Sequence, residues 1–540
     1  MSAQMKRSLV VQGSILAVAG LITKVIGFIY RIPMANIMGN TGNGLYSVAF
    51  GIYNIALTLS SYSMPLAVSK LMSARLAKGQ YKNAYRLFRD ALFLAFFAGL
   101  TGCLILFFGA DFFAGLYKKE GLQYPLRILA LTVMVVAILG TCRGFFQGHR
   151  NMVPTAVSQV IEQIVNAVVS VAAASSFVKM AESGTEHAGW NSVAAAGATG
   201  GTLGTFAGAF AALVMFVLIS LGRQKARSIE LSGDDLADEE HRLLFKAILL
   251  TMLPVILSQT IYQIGYTLDD LIFGNLMEKK GILKTAVTDM QGVFNTQYNQ
   301  MINLPVAIAT AMASATLPGI VASNARKETE QLKEKISTVL RVNMLIAIPS
   351  AVGLAALAEP IMGVLFPRLG DYMLTAVMLL RTGSMAVVFY ALSTLTTSIL
   401  QGCDRMRVPV RHSAISLAIH VLLVAALTYF TDLGVYGLII GNVTFPLLVS
   451  AMNCRSVAKL IRYRFRWSDT FIKPFLAASV MGAAAYGVYF LTRPVAGMLL
   501  AMITAMLFAI AVYACMLIAL KAVDREELRS MPFIGKYFRK

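Results

Sequence analysis

Charge is what this chain has little of. Only 14% of its 540 residues are Asp, Glu, Lys or Arg, while 57% are hydrophobic and the mean hydropathy is +0.68. Soluble globular chains carry about a quarter charged residues and about half apolar ones, so a soluble fold is excluded. Long polar intervals are missing too. The longest, 223–245 and 323–340, are too small for a soluble catalytic domain and read as surface helices or loops, with Asp234 to Glu240 a solvated acidic run. The signatures of familiar chemistries are also absent: there is no G-x-x-x-x-G-K-[ST] phosphate loop, no H-E-x-x-H pair and no nucleophile elbow. Five cysteines (Cys103, Cys142, Cys403, Cys454, Cys515) and five histidines (His149, His187, His241, His412, His420) are scattered without metal-ligand spacing. The cysteines lie mostly in or beside apolar runs and are expected to be small buried apolar residues. No small-residue cleavage site follows the first apolar run, so no cleavable signal peptide is expected.

What is present is a series of apolar runs of roughly 20 residues each, long enough to cross a bilayer. Fourteen spans are expected, near 8–32, 45–68, 90–110, 125–146, 154–178, 192–221, 246–276, 289–321, 340–365, 373–401, 409–430, 433–453, 471–491 and 495–521. The net charge of +20 is not a nucleic-acid signal, because the basic residues sit in short loops on alternate sides. About 35 of the 47 Lys and Arg fall on one side of this map, which places both termini in the cytoplasm of a multi-pass protein. Lys279, Lys280 and Lys284 are the main exception. An internal repeat is also visible. Gln147-Gly148-His149-Arg150-Asn151-Met152-Val153-Pro154 is echoed by Gln401-Gly402-Cys403-Asp404-Arg405-Met406-Arg407-Val408-Pro409, about 254 positions later. Met64-Pro65 and Leu317-Pro318 fit a similar offset. The division expected is an N-terminal half over 1–222, a cytoplasmic linker over 223–245, a second half over 246–465, and a last helix pair with a cytoplasmic tail over 466–540.

Charged and polar residues inside spans carry the functional signal, since each is costly there. In the first span Gly13, Gly20 and Gly27 recur every seven residues, nearly two helical turns, and Lys24 and Arg31 share that face. Small residues allow close helix approach, so this face is expected to point into protein and to carry its two cations inward. The seventh span offers a counterpart: Gln259, Gln263, Tyr266 and Asp270 follow one helical stripe, with Asp269 beside it. That carboxylate pair is read as binding a cation, carrying a proton or neutralising Lys24, or as a structural ion pair across the halves. Span five carries Gln159, Glu162, Gln163 and Asn166 on one side, where amides either line a cavity or tie helices together. Asn295, Asn299 and Asn303 repeat that ambiguity in span eight, and Arg381 lies well inside span ten, a candidate to face a cavity. Arg143 and Arg150 are explained adequately by orientation and contact with lipid phosphate.

Taken with Thr23-Lys24-Val25-Ile26-Gly27-Phe28, Arg31, the run from Gly39 to Tyr46, and Met64-Pro65, these motifs resemble a known family. So do Gly144-Phe145-Phe146-Gln147-Gly148 through Pro154, and Ser158-Gln159-Val160-Ile161-Glu162-Gln163. The chain resembles, along essentially its whole length, the multidrug/oligosaccharidyl-lipid/polysaccharide (MOP) exporter superfamily. Within it, the chain is similar to the polysaccharide-biosynthesis branch of stage V sporulation protein B and the MurJ-type lipid II flippases. The resemblance implies an all-α integral membrane fold with about 14 transmembrane helices in two pseudo-symmetric seven-helix halves around a central cavity. It implies a flippase, not an enzyme, moving an undecaprenyl-diphosphate-linked glycan, foremost lipid II, between leaflets of the bacterial cytoplasmic membrane. Its cavity would be lined by Lys24, Arg31, Glu162, Gln163, Arg381 and Asn299, with Asp269 and Asp270 balancing charge or coupling an ion. No cofactor is implied beyond membrane potential, H+ or Na+. The expected partners are the lipid-linked glycan, membrane lipids and cell-wall synthesis proteins, with no nucleic acid. Where MurJ-type proteins carry an acidic residue and an arginine, this chain has Gly44 and Ser60-Ser61-Tyr62-Ser63, which fits the sporulation-protein-like branch. The rival reading is a cation-coupled multidrug or small-molecule antiporter of the same superfamily. A membrane enzyme acting on lipid-linked sugars would need larger loops or clustered catalytic groups.

Overall fold

The computed structural model describes residues 3–61, 63–184, 190–222 and 239–522; within it, the side chains of residues 3–14 and 17 and of several positions in 254–266 and 314–325 lie outside the description. Its regular elements are all helices, as a lipid-embedded backbone requires when each N–H and C=O must be satisfied within its own segment. The first helix, α1 (Ala3–Ser60), has two arms that meet at Gly39, where φ is 67° and ψ −179°. Only glycine takes that backbone geometry without strain. Beside the bend, the fully buried Asn43 donates from Nδ2 to the Ala35 carbonyl at 2.9 Å.

The second span was expected to run unbroken over 45–68, but α1 stops at Ser60 and α2 (Met64–Leu76) restarts the helix with Pro65 in its first turn. Proline has no N–H to donate and its ring collides with the carbonyl four residues back, which here is Ser61. Then follow α3 (Tyr81–Phe108), α4 (Ala110–Leu116), α5 (Gln123–Gly148), α6 (Val153–Glu182), α7 (Val193–Gly222), α8 (His241–Lys279) and α9 (Lys284–Gly292). The eighth span, expected as a single helix over 289–321, consists of α9, a π-helical turn over Val293–Tyr298, and α10 (Asn299–Ala325). The remainder are α11 (Thr329–Ala356), α12 (Ala358–Leu365), α13 (Met373–Gly383), α14 (Ala386–Gly402), α15 (Arg407–Phe430), α16 (Val435–Leu460) and α17 (Lys473–Ala519). The last bends at Gly497, where φ is 75°.

Among the described residues nine helices are apolar and long enough to cross a membrane, and a tenth is gained from α13 with α14, bent by 44°. Two of the nine, Val18–Leu76 and Ser468–Ala519, are double runs that turn at Gly39 and Gly497. Counting their arms separately, and adding α8 and α10, yields the fourteen passes. The chain forms two compact units, Met1–Thr296 with Thr428–Asp432, and Gln297–Leu427 with Leu433–Lys540. Each holds seven passes. The first unit runs to residue 296, beyond α9, and residues 223–238 of the expected linker lie outside the described ones.

The repeat is legible in backbone hydrogen bonds. After α5, Arg150 N–H donates to Gln147 O at 2.9 Å and Asn151 N–H to Phe146 O at 3.1 Å, with Arg150 at φ 59°. After α14, Asp404 N–H donates to Gln401 O at 3.1 Å and Arg405 N–H to Leu400 O at 2.9 Å, with Asp404 at φ 61°. A second matched turn joins α2 to α3 through Gly79 and α10 to α11 through Lys327. Both α3 and α11 are 28 residues long, and each is followed by a helix of a single turn or two, α4 and α12. The period of the repeat is six passes, whereas each compact unit holds seven.

Two apolar clusters organise the first unit. One joins Tyr30, Met34 and Met38 of α1 to Leu122, Leu126 and Leu129 at the α5 side. The other joins Met64, Val68 and Met72 of α2 to Leu87, Phe146, Phe216 and Ile248. Close packing depends on α7: a Cβ added at Gly200, Gly204 or Gly208 would fall on the Ala173 backbone, Ser170 or the Glu162 carbonyl of α6. This is the small-residue contact that was expected along α1. There, Gly20 has nothing near it, and the side of Gly13 lies outside the description. The start of α8 is tied to α2 and α3 by the Arg75–Glu239 ion pair at 2.5 Å and by His241 Nδ1 to Asp90 at 2.8 Å, so Glu239 is paired and not simply solvated. Only Cys103 of the five cysteines is buried, because helix faces turned outward from a unit are as apolar as its interior.

Gly204→Val is expected to destabilise the protein by about 2–3 kcal/mol through overpacking against Ser170. A lowered thermal midpoint in detergent, with Gly20→Val as the unaffected control, checks it.

Candidate functional site

The first unit carries a polar layer shared by α1, α5 and α6. Lys24 and Arg31 project from one face of the first α1 arm, and both are exposed. Neither has a carboxylate partner among the described residues. Gly27, between them, meets Gln163 of α6: a Cβ there would lie 3.1 Å from the Gln163 amide nitrogen. Arg31 sits beside the hydroxyls of Tyr30 and Tyr46. Tyr30 in turn accepts a hydrogen bond from the Asn166 amide at 3.2 Å, and the Ser170 hydroxyl stands 2.8 Å from Asn166 Oδ1. Glu162 is held by Arg143, whose guanidinium donates to it at 2.5 Å while its Nε donates to Ser158 at 3.0 Å. Arg143 was explained above by orientation and lipid phosphate; it is instead the ion-pair partner of Glu162. Glu162 therefore stands as half of a salt bridge, within electrostatic reach of Tyr53. In this layer Asn166 ties helices together, while Gln163 packs on Gly27.

A second polar group gathers where α8 approaches α9. Asp269 and Asp270 are each only 7% exposed. Asp270 Oδ1 accepts from Asn295 at 2.7 Å and from Gln291 at 3.3 Å, and the Gln291 amide also reaches the Asp270 carbonyl at 2.8 Å. The π-helical turn carries Asn295 here, away from the α-helical stripe with Asn299 and Asn303 that its spacing predicted. The cation within reach of Asp270 is Lys119 and not Lys24. Lys119 is 4% exposed and donates to Thr288 Oγ1 at 2.8 Å. Burial pushes its ammonium down to about 8, against the pull of Asp270, Glu278 and Asp289. Asp289 accepts from Thr41 at 2.5 Å, and Lys118 pairs with Glu278 at 3.5 Å.

In the second unit, Arg381 of α13 lines a cavity of about 450 Å³ with Ala355 and Ala356 of α11 and Ser479, Gly482 and Tyr486 of α17. Asn299 is half-buried at the start of α10. Lys24, Arg31, Glu162, Gln163, Asp269 and Asp270 thus belong to the first unit, and Arg381 and Asn299 to the second. Sequence reasoning missed Tyr30, Tyr46, Tyr53 and Lys119. The signal for two of them was the Tyr46, Phe50, Tyr53 spacing, which builds a continuous aromatic row; Lys119 gave no signal beyond a loop charge.

A family model described as polysaccharide biosynthesis protein matches residues 9–324. The chain belongs to this polysaccharide biosynthesis family. A second model, MatE, matches residues 254–426. Stage V sporulation protein B of Bacillus subtilis is 23% identical over 531 residues, 97% of each chain. Lipid II flippase MurJ of Bacillus subtilis is 26% identical over 426 residues, 76% of this chain and 75% of that one. Among solved structures, an inward-facing multidrug resistance MATE family transporter of the MOP superfamily has a TM-score of 0.66 at 14% identity, covering 83% of this chain and 99% of its own. Lipid II flippase MurJ in an inward closed conformation also has a TM-score of 0.66 at 14% identity, over 93% and 97%. These likenesses show the fold. The family member described here is a multi-pass membrane protein of the MOP superfamily.

Arg143→Ala is expected to cost about 2 kcal/mol, because it leaves the half-buried Glu162 without its cation. The loss should be largely recovered in Arg143→Ala/Glu162→Gln. Thermal unfolding of the single and double variants measures the coupling.

Proposed function

We propose that this protein is a lipid-linked oligosaccharide flippase, a transporter and not an enzyme, with the lipid II peptidoglycan precursor as its substrate. It moves an undecaprenyl-diphosphate-linked glycan from the inner to the outer leaflet by alternating access, with both termini in the cytoplasm. The observation that carries this reading is the pair of exposed cations, Lys24 and Arg31, on one face of α1 and without carboxylate partners among the described residues. A diphosphate sugar headgroup cannot enter hydrocarbon unaided, since a buried ionised group costs several kcal/mol or more. Cations at membrane depth lower that cost, while the polyprenyl tail stays in lipid. Gln163 beside Gly27, and the hydroxyls of Tyr30 and Tyr46 near Arg31, add groups able to hydrogen-bond phosphate or sugar.

An interior-negative potential favours outward movement of an anion by about 2.3 kcal/mol per charge per 100 mV. It also favours return of an empty cationic site, so the potential alone can drive the cycle, with H+ or Na+ as the alternative drivers. The similarity to a protein named lipid II flippase MurJ supports this substrate class. The rival is a small-molecule antiporter that exchanges for a cation and uses carboxylates as its main site.

Cells depleted of their lipid II flippase are expected to be rescued by the wild type and by Gly20→Ala. Rescue should be lost with Lys24→Ala and reduced at least tenfold in plating efficiency with Arg31→Ala, both variants reaching the membrane at normal levels. Failure of the well-expressed wild type to rescue would overturn lipid II as substrate. Rescue undiminished by Lys24→Ala and Arg31→Ala together would remove the cationic face from the mechanism.

A further inference from the structure

The buried group around Asp270 contains its own cation. Lys119 belongs to the short loop between α4 and α5, where a lysine is ordinarily solvated. Its side chain is turned inward by the way α4 ends: Lys118 N–H donates to Gly115 O at 3.1 Å and Lys119 N–H to Ala114 O at 2.9 Å, with Lys118 at φ 52°. This is the hydrogen-bond pattern that closes a helix through a left-handed residue, which is usually glycine. A lysine at that position carries strain of about 1 kcal/mol. It sends Lys118 outward to Glu278 and leaves Lys119 pointing into the unit.

The receiving side is built for an ammonium. Thr288 donates its hydroxyl proton to the Lys284 carbonyl at 2.8 Å, so its oxygen is free to accept from Lys119 at 2.8 Å. Thr288 is fixed because α9 lies tight on the second α1 arm: a Cβ at Gly44 would strike Thr288, and one at Gly292 would strike Asn40. Asp270, Glu278 and Asp289 stand within electrostatic reach of the ammonium. Asp270 Oδ1 already receives two amide N–H groups, from Asn295 and Gln291, and Asp289 Oδ1 already accepts from Thr41. N–H donors aimed at a carboxylate oxygen repel a cation approaching that oxygen.

We propose that the Lys119 ammonium is the resident cation of this acidic group and holds the charge position that a coupling ion would otherwise take. A coupling metal ion is therefore not bound at Asp270 while Lys119 is in place. The inference is independent of which lipid-linked glycan is moved, and it narrows the energy source of the proposed cycle toward the membrane potential.

The test is thermal unfolding of the purified full chain in NaCl, KCl or choline chloride at equal ionic strength. The wild-type midpoint should be the same in all three. Lys119→Met should lower the midpoint by several degrees, Lys119→Arg should retain most of it, and Lys119→Met/Asp270→Asn should recover most of the loss. A saturable stabilisation of the wild type by Na+ that Asp270→Asn abolishes would overturn the proposal. So would a double variant no more stable than Lys119→Met alone. If Lys119→Met does not accumulate in membranes, the same comparison is made on expression: restored accumulation of the double variant supports the pairing, and its absence refutes it.

Discussion

An ion inside a bilayer has three fates: it is paired, it is wetted, or it is spent on a ligand. This protein assigns a different fate to each of its principal intramembrane charges, and the arrangement of its first unit follows from that assignment. Arg143 and Glu162 are paired across α5 and α6, with Ser158 taking a second guanidinium proton. Asp270 is supplied with amide donors and stands near a lysine delivered from a loop. Lys24 and Arg31 remain exposed on α1. Among the described residues Lys24 and Arg31 have no carboxylate partner, which is what the proposed flippase cycle draws on.

Holding these groups at the right depth depends on helices that approach one another closely. α6 brings Gln163 and Asn166 to α1 while its Glu162, Asn166 and Ser170 positions are seated against the glycines of α7. The same polar stripe therefore serves two purposes. Asn166 and Ser170 fasten helices, and Gln163, one residue after the paired Glu162, lies along the bare face of α1 at Gly27. Packing and chemistry are separated here by about a quarter turn of helix.

Much of the architecture was legible because lipid imposes a period and a length that few other environments demand. The fourteen passes, the repeat and the α1 cations all follow from apolar run length, punctuation and charge placement. The repeat was read from eight or nine residues around Gly148 and Gly402, and its structural counterpart is a pair of turns whose hydrogen bonds match although Arg150 and Asp404 do not. Less legible were features set by partners distant in sequence. Nothing local to Lys119 says that a loop lysine is buried, and nothing near Arg143 says that Glu162 meets it. The break before Met64 has a local signal in Pro65, whose ring disfavours helix through Ser61, although Pro33, Pro349, Pro446 and Pro494 are accommodated inside helices. The mismatch between a six-pass repeat and seven-pass compact units has a similar cause, because α8 is drawn to α2 and α3 by Arg75, Asp90 and Asn83, contacts no period encodes.

The bend at Gly39 bears on how α1 can move. Its two arms are joined through one residue in a conformation closed to other side chains, and the buried Asn43 amide is committed to the Ala35 carbonyl beside it. Straightening the helix would strain that bond, and Asn43 is fully buried. That bond spans the elbow and opposes its straightening, so a torque applied to one arm is passed in part to the other. Lys24 and Arg31, on the first arm, are mechanically geared to Tyr46 and Tyr53 on the second.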